Sequence, residues 1–167
     1  MKKIVLSLVA LAAFSLGANA QTLVEDINPG SGSSVPNKFT VFENEIYFEA
    51  NDGTTGRELW KSDGTTTTLI QDINPGTAHA YPFDLTVFNS ALYFRAQDVT
   101  NGYELWKYDG TTATLVQDIN PGSENSSPFQ LTVFGSNLYF TANDGTSGIE
   151  LWKYDGTTAT LVQDINP

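Results

Sequence analysis

The sequence predicts an all-β protein assembled from repeated four-stranded antiparallel units, and three observations support this fold class. A block of 46 residues occurs three times without insertion or deletion, at 30–75, 76–121 and 122–167. Each block contains four short runs rich in β-branched and aromatic residues, and no apolar pattern of helical period occurs after residue 20. Turn sequences of the Asp-Gly and Asn-Pro-Gly types separate the runs. A fixed period of this size indicates one structural unit stacked on itself.

The first 20 residues have the layout of a secretory signal peptide. Lys2 and Lys3 provide a positive start, residues 4–16 are apolar, and residues 18–20 read Ala-Asn-Ala, a small-residue cleavage site. We therefore expect a mature protein that begins near Gln21 and is secreted or held at the cell surface. An uncleaved anchor is the alternative interpretation of this segment.

The composition of the remaining chain excludes several classes of partner. Removing two signal lysines takes the formal net charge from -11 to -13, so nucleic acid and anionic lipid are not expected partners. The chain has no cysteine, which excludes a disulfide framework and a thiol nucleophile. No later stretch is long and apolar enough to predict a membrane span.

In each repeat, the four runs are the predicted strands. In the first repeat they cover roughly 38–43, 45–51, 57–62 and 66–72. The corresponding four-stranded units are expected at 38–72, 84–118 and 130–164. Between the third and fourth runs lies Asp-Gly, which tolerates the positive φ angles of a tight hairpin.

The pattern of side chains along the second run indicates how each unit is covered. Ile46, Phe48 and Ala50 lie on one side of the strand and Tyr47 lies on the other. Apolar residues on both sides suit a sheet that is sandwiched between two neighbours. Four antiparallel strands in 46 residues fit the blade of a β-propeller. A β-solenoid or a row of separate hairpins is the alternative.

The predicted ring is incomplete. Residues 22–29 and 160–167 differ at one position, so 21–29 is expected to be a lone fourth strand of a preceding blade, followed by three complete repeats. Propellers typically have four to eight blades. Either the chain is part of a longer repeat protein, or several chains complete a ring by self-association. We favour the first explanation, because the sequence halts at Pro167, where both earlier copies continue with glycine.

The repeated strings resemble the ELWxxDGT repeat family. Glu-Leu-Trp-Lys followed by Asp-Gly-Thr occurs at 58–65, 104–111 and 150–157, and Asp-Ile-Asn-Pro-Gly occurs at 72–76. The resemblance covers the whole mature chain. It implies a secreted or surface bacterial protein with propeller-like repeats and no established common activity. Each copy here lacks the second Gly-Thr that is usual in the family, which shortens the hairpin between the third and fourth strands.

Carboxylates recur at fixed positions in the repeat. They are Glu58, Glu104 and Glu150, and Asp63, Asp109 and Asp155. Paired acids are the machinery of glycoside hydrolases. A residue present in every repeat serves every repeat, however, whereas a catalytic pair is normally a single constellation. We therefore interpret the aspartates as turn residues and the glutamates as partners of backbone groups or lysines, and expect no enzyme activity.

Metal and cofactor chemistry has little support in the sequence. Asp52, Asp98 and Asp144 are weak calcium candidates, because the first lies in Asn-Asp-Gly upstream of Glu58 and hard cations bind several oxygens. A simple turn is the favoured interpretation. His79 is the only histidine, so a zinc site or a Ser-His-Asp triad is not expected, and we predict no cofactor.

The three tryptophans admit two interpretations. Trp60, Trp106 and Trp152 could stack on sugars. Because each occupies the same point in a strand of each repeat, packing between neighbouring units is the favoured interpretation.

The positions at which the repeats differ indicate a candidate binding face. The loop between units varies at 31–35, 77–81 and 123–127, and the loop between the second and third strands ends on a variable residue. In a blade these two loops emerge on the same side, and loops carry binding more often than strands. The candidate ligand-binding residues are Arg57, His79, Tyr81, Tyr103, Glu124 and Ile149. Neutral drift is the alternative explanation of this variation.

These observations lead to three hypotheses about function. The first is a non-enzymatic module that binds a glycan or a protein through the variable loops. The second is a purely structural segment of a larger surface protein. The third, a carbohydrate-active enzyme, ranks last because the sequence offers no evident unrepeated acid–base pair.

Overall fold

The computed structural model describes residues 22–167, so the expected signal peptide at 1–20 and its cleavage site lie outside the described residues. The described part of the chain is all-β and forms three four-stranded antiparallel sheets, without a helix that could cross a membrane. Sheet 1 contains β1 (Asn37–Phe42), β2 (Glu45–Asn51), β3 (Arg57–Ser62) and β4 (Thr67–Gln71). Sheet 2 contains β5 (Phe83–Phe88), β6 (Ala91–Asp98), β7 (Gly102–Tyr108) and β8 (Ala113–Gln117). Sheet 3 contains β9 (Phe129–Phe134), β10 (Asn137–Asn143), β11 (Ile149–Tyr154) and β12 (Ala159–Gln163).

Every sheet is a simple meander in which neighbours in sequence are neighbours in space. The four runs predicted for the first repeat all form strands, and β2 and β3 have the expected bounds. The first strand of each sheet carries a register shift near its start, between Asn37 and Thr40 in sheet 1. The bulge therefore recurs at the same position of every repeat, although the residues at that position differ.

The turns have the backbone geometry that their sequences predict. Gly64, at the turn between β3 and β4, has a φ of 91°, which glycine adopts without a steric penalty. Asp63 Oδ1 accepts the backbone N–H groups of Thr65 and Thr66, both at 2.8 Å. The prediction that Asp63 and its copies are turn residues is confirmed, since Asp109 and Asp155 accept the same two bonds.

The sheets pack face to face, so both sides of a central sheet are buried. We call the side toward the preceding sheet the front face and the side toward the following sheet the back face. The back face of sheet 1 carries Phe42, Tyr47 and Leu59, which pack with Phe94 and Trp106 of the front face of sheet 2.

The same pairing of faces recurs between sheets 2 and 3, where Leu105 packs with Phe140 and Trp152. The interpretation of the tryptophans as packing residues between units is confirmed for Trp106 and Trp152. The first strands lie side by side from sheet to sheet, with Thr86 Oγ1 donating to the Leu131 carbonyl at 3.3 Å.

Residues 22–29 do not form the lone strand that the sequence predicts. The described residues provide no third strand beside this segment, so its backbone has no ladder to join. Its side chains nevertheless occupy the position of a preceding fourth strand. Glu25 Oε2 accepts the Thr67 N–H of sheet 1 at 2.7 Å. In the same way, Gln117 Oε1 at the end of sheet 2 accepts the Ala159 N–H of sheet 3 at 3.1 Å. Ile27 packs beside Trp60.

Candidate functional site

The repeated glutamates bind the backbone of the loop that leads to the next sheet. Glu58 is fully buried, and its two oxygens accept the N–H groups of Ile73 at 3.0 Å and Ala80 at 3.1 Å. Glu104 is also fully buried and accepts the corresponding N–H groups of Ile119 and Ser126, both at 3.1 Å. The interpretation of these two glutamates as partners of backbone groups is confirmed.

Glu150 departs from this arrangement because no fourth sheet follows it among residues 22–167. It is partly exposed, and its hydrogen bond from the Ile165 N–H is longer, at 3.4 Å. The same repeat position is therefore fully buried in Glu104 and partly exposed in Glu150.

Burial of Glu58 has a consequence for the dependence of stability on pH. Burial raises the pKa of its carboxyl group from 4.5 to about 8, and the nearby charge of Asp72 adds to the increase, while the N–H donors oppose it. The folded state thus holds this proton more tightly than the unfolded state. The resulting stabilisation is complete below pH 4.5 and is lost as the pH rises through about 8.

We therefore expect the free energy of unfolding to fall by a few kcal/mol between about pH 5 and pH 9. Urea unfolding at several pH values measures this slope. A Glu58→Gln variant, which cannot ionise, is expected to be less stable at pH 5 and to show a shallower slope. A wild-type slope that persists unchanged in this variant would assign the pH dependence to other groups.

The calcium candidates bind backbone groups of their own loops. Asp52 Oδ1 accepts the N–H groups of Thr54 at 2.8 Å and Thr55 at 2.7 Å. Asp98 and Asp144 make equivalent bonds in their loops. Within residues 22–167, no three histidine, cysteine or acidic side chains come together as a group that could hold a metal ion.

One constellation is not repeated, and it centres on Glu49 of β2. The Glu49 side chain is 2% exposed, and it forms ion pairs with Lys38 Nζ and with Arg57 Nη1, the latter at 2.8 Å. In the other sheets the position of Glu49 is held by Arg95 and Thr141. A buried carboxylate with two cationic partners therefore occurs only in sheet 1 among the described sheets.

The two cations determine the ionisation of Glu49. Burial by itself favours the neutral acid, but the hydrogen bonds from Lys38 and Arg57 outweigh it and hold the pKa of Glu49 below its ordinary value. Glu49 is therefore a carboxylate at neutral pH. Lys38 and Arg57 are each 28% exposed, so their donors remain partly accessible from solvent.

A backbone bulge directs Lys38 toward this carboxylate. Lys38 has a φ of 60°, in the left-handed region, at the register shift of β1. Asp84 and Gln130 have φ values of 60° and 59° at the equivalent positions of β5 and β9. The bulge with a left-handed residue is thus common to all three sheets, whereas the side chain at that position differs in each.

Sheet 2 contributes aromatic and cationic groups to the same place. The Arg95 guanidinium lies 4.9 Å from the ring centre of Phe83 and 5.1 Å from that of Tyr103. Lys38 Nζ lies 4.7 Å from the ring centre of Phe83, so this ring joins the basic groups of the two sheets. Cation–π contacts of this kind hold basic groups in place without neutralising their charge.

The loop between sheets 1 and 2 borders this group of side chains. The Arg57 N–H donates to His79 Nδ1 at 2.9 Å, and the Ala80 N–H donates to the Arg57 carbonyl at 3.0 Å. The rings of His79 and Tyr81 meet edge to face at 5.0 Å. The loop between sheets therefore lies beside the start of β3, as expected from the variable positions. We call the combined set the cation–aromatic cluster: Lys38, Glu49, Arg57, His79, Tyr81, Phe83, Arg95 and Tyr103.

The distribution of basic residues makes this cluster distinctive. Six lysines and arginines follow residue 20. Three of them are the repeated lysines of the third strands, Lys61, Lys107 and Lys153. The remaining three all lie in the cation–aromatic cluster, where they outnumber its single carboxylate in an otherwise acidic chain.

The structure brings together four of the six candidate residues predicted from the sequence: Arg57, His79, Tyr81 and Tyr103. The other two lie elsewhere. The Glu124 carbonyl packs against Gly102, and Ile149 is exposed at the start of β11. The sequence interpretation missed Lys38, Glu49, Phe83 and Arg95, because it compared loops and not strand positions between repeats.

No family model matches the chain, and no curated protein sequence matches it significantly.

Proposed function

We propose that the protein is a secreted or cell-surface module of the β-propeller type that binds an extracellular glycan or protein. In the proposed architecture, the three sheets are consecutive blades of a partial ring. Two features support it: first strands that lie side by side, and the same pairing of front and back faces at both junctions between sheets. The motifs that resemble the ELWxxDGT family agree with this architecture and with an extracellular location.

The observation that carries the proposed binding role is the concentration, in one partly exposed cluster, of the three unrepeated basic residues that follow residue 20. A protein with a strongly negative charge repels acidic molecules in general, so a local excess of cations is informative. Arg57 and Arg95 present planar donors that match carboxylate and sulfate groups. Tyr103 and Tyr81 add rings suited to stacking on a sugar. A glycan that bears acidic groups fits this chemistry best.

The alternative roles have less support. A purely structural segment needs no unrepeated charges that link two sheets, and variable loops alone are consistent with it. A carbohydrate-active enzyme requires a proton donor, and Glu49 is the only carboxylate in the cation–aromatic cluster. The lowered pKa of Glu49 and its two ion pairs make it a poor general acid, so this function ranks third.

Screening the mature protein on an array of neutral, carboxylated and sulfated glycans tests the proposed role. We expect binding to acidic glycans that weakens with salt, because exposed charges are screened. Arg95→Ala and Tyr103→Ala are each expected to lower affinity about tenfold, or about 1.4 kcal/mol. Lys153→Ala removes the same charge as Arg95→Ala from an exposed site on sheet 3 and should leave affinity unchanged.

Three other outcomes point elsewhere. Equal losses in Arg95→Ala and Lys153→Ala would indicate a general charge effect and not a site. Capture of an extracellular protein that depends on Tyr103, without glycan binding, would support the protein ligand. Absence of both would favour the structural segment.

A further inference from the structure

The back face of sheet 3 lacks the cover that the other back faces have. Phe134 is 74% exposed, whereas Phe88 at the same position of sheet 2 is 4% exposed. Leu151 is 40% exposed, whereas Leu105 is fully buried. This apolar surface has the same composition as surfaces that pack inside the molecule.

The front face of sheet 1 is only partly covered. Phe39 is 61% exposed, and Ile46 is 42% exposed, although Leu92 at the position of Ile46 is fully buried in sheet 2. The segment 22–27 lies over one edge of this face and leaves an apolar cavity of about 300 Å³. Phe39, Ile46 and Phe48 line this cavity.

Of the two explanations for the incomplete set of repeats, we propose self-association, in which the back face of sheet 3 binds the front face of sheet 1 in a second copy of this chain. The two junctions inside the molecule pair a back face with a front face through equivalent residues, so the chain itself contains the template of this contact. Phe134, Tyr139 and Leu151 would enter the cavity on the second copy. Their counterparts Phe42, Tyr47 and Leu59 fill the same space between sheets 1 and 2.

Segment 22–29 overlaps the place that β12 of the second copy takes. The sequence Thr-Leu-Val-Glu-Asp-Ile-Asn-Pro at 22–29 differs from 160–167 only by glutamate in place of glutamine. β12 is paired with β11, whereas 22–29 has no strand partner, so 22–29 is the segment that leaves. Gln163 then replaces Glu25 as the acceptor for the Thr67 N–H, and the exchange conserves that hydrogen bond.

The contact is front to back, so a single contact leaves one free apolar face on each copy. A closed pair satisfies both faces and buries the apolar surface of each. Each chain carries a large negative charge, so added salt strengthens association by screening the repulsion. The inference rests on the stacking of sheets and not on the proposed ligand, so its failure leaves the binding proposal intact.

Sedimentation equilibrium of the mature protein over concentrations up to about 100 µM tests the association. We expect the apparent mass to rise with protein concentration to twice that of one chain. We also expect association to strengthen as salt is added. Phe39→Asp and Leu151→Asp are each expected to remain monomeric, because either change damages every contact. Val99→Asp adds the same charge at a residue that is 74% exposed outside both faces, and it should associate normally. Circular dichroism verifies that the variants remain folded.

A mixture of the Phe39→Asp and Leu151→Asp variants separates the possible geometries. It contains one intact back face and one intact front face, so it should form a one-to-one complex although neither variant associates alone. A wild-type protein that stays monomeric throughout would overturn the inference. So would a pair that Phe39→Asp leaves intact, because that result requires contact between two back faces.

Glu25→Ala tests the displacement of segment 22–29. This change removes the hydrogen bonds to Thr67 that hold the segment in place, so we expect it to strengthen association several-fold. Weaker association of this variant would mean that the segment stays in the contact and would overturn the displacement.

Discussion

Replacing Glu104 with alanine is expected to lower the free energy of unfolding by about 4 kcal/mol, a large effect for one substitution. The Glu104 side chain is fully buried and accepts hydrogen bonds from Ile119, Ser126 and the Asn120 N–H. Alanine leaves these backbone donors without their acceptor inside the junction between sheets 2 and 3. A buried donor without a partner costs about 1–3 kcal/mol, and the removed side chain also leaves a cavity.

The equivalent residue in the third repeat supplies a matched control. Glu150 has the same strand position, but it is partly exposed and accepts a 3.4 Å bond from Ile165. Glu150→Ala is expected to cost less than about 1 kcal/mol. Urea unfolding of the two variants beside the wild type, at one pH and at a concentration where the protein is monomeric, measures the difference. Equal losses in the two variants would show that burial in the junction adds nothing to the role of this glutamate.

The strands and turns of this fold follow from local patterns. β2 occupies Glu45–Asn51 as predicted, because a short run of β-branched and aromatic residues lies between two turn sequences. Asp63 has its predicted turn role because its carboxylate bonds to residues only two and three positions away. Repetition also predicts that a strand residue such as Trp106 packs between units, since the same position serves every unit.

Interactions between distant segments are harder to predict. The occurrence of glutamate in every repeat indicated a structural role for Glu104, but its partner Ser126 lies 22 residues away across a junction. Within the lone strand predicted at 21–29, the described residues 22–29 form no strand, because a strand requires a neighbour, which a pattern in one segment does not supply. The local sequence favours an extended strand, but the presence of a neighbouring strand determines whether one forms.

The sequence of the strands, and not only that of the loops, carries a signal of the cation–aromatic cluster. Glu49 and Arg95 occupy the same position of the repeat and carry opposite charges, which is a difference as informative as any in the loops. At another strand position of the cluster, Lys38 likewise stands where the later repeats have Asp84 and Gln130. The meeting of Lys38 and Arg95 around Phe83 still requires the packing of sheet 1 on sheet 2, because the ring lies between basic groups of two different sheets.

Replacing Leu105 with alanine is expected to lower the free energy of unfolding by about 3 kcal/mol. Leu105 is fully buried on the back face of sheet 2, where it packs in the cluster that contains Phe140 and Trp152 of sheet 3. Removing its side chain leaves a cavity in a junction that is covered from both sides. Such a junction has little freedom to collapse around the vacant space.

Leu151→Ala makes the same chemical change at the same strand position of sheet 3, where the side chain is 40% exposed and faces no following sheet among the described residues. Both substitutions alter strand propensity equally, so the difference between them reports the packing between sheets. We expect a loss of about 1 kcal/mol for Leu151→Ala in the monomer. Urea unfolding of both variants at low protein concentration measures the two values. At concentrations where two copies associate, the loss for Leu151→Ala should approach that for Leu105→Ala, because the second copy then covers Leu151 as sheet 3 covers Leu105. A loss that does not depend on concentration would contradict this expectation.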